Sequence, residues 1–141
     1  MEMWVQIATI VSACAAILAL IITVGIYHHG LKREKQLETL KVFSDIRKKY
    51  FNTVTLDNHE KLQYLNELEY FSTGVNLGIY DIKVVKKMSR RRLLGQYNTW
   101  MKDFIYARRD HGAQSSSAYC EVEKMINEIK KDYFLSKLKE Y

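Results

Sequence analysis

Twenty-four consecutive residues, Trp4 to Tyr27, carry no side chain that is charged at neutral pH. At about 1.5 Å rise per residue this is roughly 36 Å of helix, enough to cross a hydrocarbon core of about 30 Å with some tilt. Eleven of the twenty-four are Val, Ile or Leu. Each favours insertion by about 0.3–0.6 kcal/mol, and no charge opposes them. Trp4 and Tyr27 bracket the run at the two water interfaces. A cleaved leader would begin with positive charge, have a shorter apolar run and end in small residues. This chain has Glu2 before the run and Gly25-Ile26-Tyr27-His28-His29 at its end. The segment therefore reads as a permanent anchor. Lys32, Arg33 and Lys35 follow it and no Lys or Arg precedes it. The positive-inside rule then places the amino terminus outside and the carboxyl side in the cytoplasm.

Within the span, Ala8, Ser12, Ala15 and Ala19 fall at spacings of four, three and four, on one helix face. Small residues in that pattern let helices approach closely in lipid. The face suits self-association, or it simply touches lipid. His28 and His29 are adjacent, and neighbours along a helix do not face one ligand sphere. They read as polar residues at headgroup level.

The chain has no proline and only six glycines, which favours long uninterrupted helices over strands and turns. Apolar spacing predicts a first cytoplasmic helix from Leu31 to Phe51, lined by Leu37, Leu40, Phe43, Ile46 and Tyr50. Asp57 or Thr55 caps a second, Asn58 to Leu77, with Leu62, Leu65, Leu68, Ser72 and Val75 inward. Gly78 suits a left-handed stop. Asp81 caps a short helix, Ile82 to Met88, and Ser89 another, Arg90 to Arg109. The latter carries the stripe Leu93, Leu94, Tyr97, Trp100, Met101, Phe104 and Ile105. After the turn cluster RDHGAQSSS, a last helix from Ser117 to Leu138 buries Tyr119, Val122, Ile126, Ile129 and Tyr133. Short loops make such helices pack antiparallel, so the expected fold is all-α. It comprises one transmembrane helix in an anchor of residues 1–30 and a four- or five-helix cytoplasmic bundle of residues 31–141.

No signature of catalysis is present: no GxxxxGK[ST], HExxH, CxxC or GxSxG. Four His and two Cys lack metal-ligand spacing. Cys14 lies in the apolar run and Cys120 far along the chain, which fits a reducing compartment for the second part. Glu69, at the edge of the Leu65–Leu68 stripe, needs a cationic or hydrogen-bonding partner. Arg108, on the continuation of the Trp100–Phe104 face, is the candidate for a structural ion pair.

Positive charge is concentrated. Between residues 81 and 109 there are 9 basic and 2 acidic side chains. The tract Lys83, Lys86, Lys87, Arg90, Arg91, Arg92 has three readings: a solvated face, a contact with anionic lipid, or a site for the phosphate of a nucleotide or nucleic acid. Nucleic acid is disfavoured, because the nearby aromatics, Tyr97 and Trp100, read as core.

The stretch LNELEYFSTGVNLGIYD, through Leu65, Asn66, Leu68, Glu69, Gly74, Gly78, Ile79, Tyr80 and Asp81, resembles the central motif of a bacterial and phage family. Its members are small proteins with one amino-terminal span and a helical cytoplasmic domain of unknown function. Trp100 and Arg108, then Ser116, Ala118, Tyr119 and Glu123, continue the resemblance. Arg90-Arg91-Arg92 departs from its milder helix start. The resemblance implies a role at the bacterial inner membrane in phage defence or superinfection exclusion.

The leading expectation is a non-enzymatic, single-span inner-membrane protein. Its bundle binds a protein partner or self-associates, and it uses no cofactor or metal. Membrane lipid is its first partner, and a bilayer-perturbing oligomer is one elaboration. The alternative is a membrane-tethered sensor holding an anionic nucleotide or headgroup on residues 83–92.

Overall fold

A computed structural model describes residues 1–50, 55–110 and 117–138. The expected helix end at Phe51, the turn residues 111–116 and the motif residue Ser116 lie outside the described residues. Every described element is helical. α1 runs Glu2–Lys49, α2 Asn58–Asn76 and α3 Ile82–Gln96. A π-helix, Tyr97–Met101, follows, then α4, Lys102–Asp110, and α5, Cys120–Leu138. The chain divides into two compact units, Met1–Glu34 and Lys35–Tyr141.

The first unit is the opening part of α1, long and apolar enough to cross a membrane. It buries none of its side chains: Leu20 is 68% exposed and Ile10 64%. Thr9 and Thr23 donate their hydroxyls to the carbonyls of Val5 and Ala19, each at 2.8 Å. Their polarity is thus satisfied inside the helix, as a lipid environment requires.

In the second unit the end of α1 lines the core with Thr39, Phe43 and Ile46, joined by Tyr50 just after it. Leu37 and Leu40, expected inward, are exposed. The inward position goes to Thr39, whose hydroxyl donates to the Lys35 carbonyl and accepts the Asp81 N–H at 2.8 Å. Leu40, the next residue, is turned about 100° away from it.

α2 starts where the sequence says. The Asp57 carboxylate accepts the Glu60 N–H at 2.7 Å and Glu60 accepts the Asp57 N–H at 3.0 Å, a complete capping box. Leu65, Leu68, Ser72 and Val75 are buried as expected, joined by Tyr64 and Phe71. Ser72 enters the core because its hydroxyl bonds back to the Leu68 carbonyl at 2.6 Å. Phe71 stacks on Phe43 and on Tyr80, with ring centroids 5.2 and 4.9 Å apart. Gly78, at φ +78°, reverses the chain, and the Gly74 carbonyl accepts from Ile79 and Tyr80.

Asp81 caps α3 as expected, accepting the Lys83 N–H at 2.9 Å, and its other oxygen accepts from Gln36 at 3.0 Å. Burial pushes the Asp81 carboxyl up, but the bonds from Gln36 and Lys83, together with the charges of Lys35 and Lys83, outweigh it and hold the group below its ordinary range. α3 does not stop at Met88. It kinks at Ser89 (φ −150°, ψ 16°), whose buried hydroxyl has no hydrogen-bond partner among the described residues.

The kink and the π-helix share a cause. Val85, Ser89, Leu93, Tyr97, Met101 and Ile105 are all buried, at a constant spacing of four. An α-helix turns about 100° per residue, so each step of four drifts about 40° off the core. The break at Ser89 and the wider i→i+5 turn at 97–101 are where a chain with this spacing can recover that drift. α5 packs chiefly against α2 and also against α3, burying Val122, Met125, Ile126 and Ile129.

Candidate functional site

The first polar cluster surrounds the start of α5. The residue before that helix is Tyr119, at φ +61°, left-handed and unfavourable for an aromatic residue. Tyr119 has no short side chain to cap the helix. Glu69 of α2 does so instead, its two oxygens accepting the N–H groups of Glu121 at 3.2 Å and Val122 at 2.8 Å. One turn earlier, Asn66 accepts the Tyr119 hydroxyl at 2.8 Å. Asn76 donates to the carbonyl and carboxylate of Glu121, at 3.1 and 2.7 Å.

The expected Glu69–Arg108 ion pair is therefore corrected: among the described residues no ion pair joins them. Glu69 is occupied by backbone donors, and the Arg108 guanidinium lies over the Phe104 ring, 5.7 Å from its centroid. The neighbouring Arg109 takes the structural role. It donates twice to the Ala118 carbonyl, at 3.0 and 2.6 Å, and to Glu123 at 2.8 Å. Glu123 raises the Arg109 pKa by this bond. Tyr97 donates to the other Glu123 oxygen at 3.3 Å. Burial, with Glu123 adding to it, pushes the Tyr97 hydroxyl up to about 12. Burial and the Glu121 carboxylate raise the Cys120 thiol, away from the reactive thiolate. The motif residues Asn66, Glu69, Tyr119 and Glu123 thus meet, and their arrangement is a clasp between helices.

The basic tract is split by the helix that carries it. Lys86 pairs with Asp132 at 2.6 Å and Glu128 at 3.8 Å on α5. Arg92 turns inward, beside Arg47, Tyr50 and Tyr64. Burial pushes the Tyr64 hydroxyl up to about 12, with Arg92 and Arg47 opposing. Lys83, Lys87 and Arg91 are exposed. Arg90 lies over the Tyr133 ring, 5.0 Å from its centroid, so Tyr133 is half-buried at the surface and not in the core.

Of the tract, Arg90 and Arg91 line a groove of about 410 Å³, whose other walls are Leu94, Gly95, Asn98, Lys130 and Tyr133. Lys130, from α5, is the cation that sequence order alone does not bring to this place. It sits over the Tyr97 ring, 4.6 Å from the centroid. Ala8, Ser12, Ala15 and Ala19 are exposed along α1 in the first unit. Among the described residues no cluster of three or more His, Cys, Asp or Glu is placed to hold a metal.

A family model described as a domain of unknown function, DUF4760, matches residues 7–129. No match is found among curated proteins, and none among solved structures.

Proposed function

The chain belongs to the DUF4760 family, and we propose that it is a single-span protein of the bacterial inner membrane, its amino terminus outside and its helical domain in the cytoplasm, where that domain binds a protein partner or a second copy. One observation carries the reading. The apolar stretch Trp4–Tyr27 is helical and exposed along its whole length among the described residues. Leaving so much apolar surface in water is costly, at about 25 cal/mol per Å². Lipid removes that cost. The family match starts at residue 7, so it includes most of this helix with the bundle. Ala8, Ser12, Ala15 and Ala19 supply the face for self-association. The resemblance extends the setting to phage defence or superinfection exclusion.

Three measurements test this. The protein stays in the membrane pellet after alkaline extraction, and a tag at Tyr141 resists protease added to intact cells. Release by alkali, or cleavage from outside, refutes the anchor and its orientation. Crosslinking in native membranes gives a homo-oligomer that Ser12→Leu and Ala15→Leu reduce. Unchanged oligomer size in both variants refutes the small-residue face.

A further inference from the structure

Gly95 lies inside α3, where glycine is less stable than alanine. Its usual justifications fail here. Among the described glycines only Gly78 has a positive φ, and a Cβ built on Gly95 meets nothing within 4 Å. Neither backbone nor packing calls for the missing side chain. Its effect is to leave open the floor of the groove between α3, the π-helix and α5.

The next element is also irregular. The π-helix Tyr97–Met101 begins two residues later and places Asn98 on the groove wall. Such wide turns recur at functional sites. Around this opening stand Arg90, Arg91 and Lys130; Arg90 is engaged by the Tyr133 ring and by the field of Asp132, whose carboxyl is lowered chiefly by Lys86 with Arg90 adding to it, while Arg91 is exposed. Lys130 is steadied by the face of Tyr97, a contact that leaves its charge available to an anion. The exposed Arg91 guanidinium offers the planar fork that matches phosphate oxygens. About 410 Å³ is the size of a small-ligand site.

We infer that this groove binds a phosphate group, held by Arg91 and Lys130 over the open floor at Gly95 and against Asn98. Two sources carry that chemistry, a soluble mononucleotide and the headgroup of an anionic phospholipid. The inference goes beyond the tethered-bundle reading, and its nucleotide arm does not depend on that reading.

The test uses the full chain in lipid nanodiscs. In one arm ADP is titrated into discs of neutral phosphatidylcholine and binding heat is measured. In the other, discs containing phosphatidylglycerol are compared with neutral discs by hydrogen exchange across residues 90–98. A signal in one arm identifies the source. In that arm Arg91→Glu and Lys130→Glu each weaken binding about tenfold or more, as loss of a charge-assisted phosphate contact should. Gly95→Leu, which fills the floor, does the same while Tm holds or rises. Lys83→Glu and Lys87→Glu, outside the groove, change ADP affinity by less than about twofold. Silence in both arms overturns the inference. So does an equal loss in all charge variants, which marks a diffuse field, or full affinity in Gly95→Leu.

Discussion

Replacing Glu69 asks whether one helix can supply another's start. The Glu69 carboxylate accepts two backbone N–H groups of the first turn of α5, at 3.2 and 2.8 Å. A helix cap contributes about 0.5–2 kcal/mol, and hydrogen bonds to a charged group about 1.5–3 kcal/mol. Glu69 is only half-buried, so water takes up part of the loss. Glu69→Ala is then expected to cost about 2 kcal/mol, and Glu69→Gln, which keeps an acceptor without charge, about 1 kcal/mol. The assay is hydrogen exchange at the Glu121 and Val122 amides, with thermal unfolding of the full chain in detergent. About 2 kcal/mol is a loss of protection of roughly 30-fold. The control is Arg108→Ala. An ion pair would make it cost as much as Glu69→Ala and give a coupling energy in the double mutant. The clasp gives no coupling and an effect within about 0.5 kcal/mol. Wild-type protection in Glu69→Ala, or strong coupling to Arg108, refutes the reasoning.

Two further outcomes follow from the packing. Gly74→Ala places a Cβ 2.6 Å from the Tyr80 ring, which is itself stacked on Phe71; the ring must move, and overpacking of this kind costs about 1–3 kcal/mol, read as a lower urea midpoint. Asp81 has a folded pKa below its unfolded value, so its stabilisation is present above the unfolded pKa and is lost as pH falls through the folded one. Tm of the wild type should therefore fall more steeply below about pH 4 than that of Asp81→Asn, and parallel curves would refute the linkage.

Local signals were legible in the sequence because they act over one turn. Asp57 and Asp81 are short acceptors just before an apolar period, and both cap as expected. Leu65, Leu68 and Val75 follow the helical period and are buried. The misreadings come from partners far along the chain. Thr39 displaces Leu37 and Leu40 because its partner is the N–H of Asp81. Glu69 reads as needing a cation because a sequence shows side-chain charges and hides backbone donors, and Glu121 and Val122 become donors only when the start of α5 lies beside α2. Arg90, Arg91 and Arg92 look like one patch in writing. On a helix they are about 100° apart and point to a ring, to solvent and inward. Lys130 joins two of them only through the packing of α5 on α3.

The wide turn at 97–101 has a consequence for changes in chain length. A turn of this kind stores one residue beyond what a regular helix uses. Deleting Asn98 would let the ladder close into ordinary α-helix, and the lining positions would then run Leu93, Tyr97, Met101, Ile105 at steps of four, three and four. Those are steps a straight helix keeps on one side. The bundle can dispense with the stored residue; the groove, which would lose a wall, cannot.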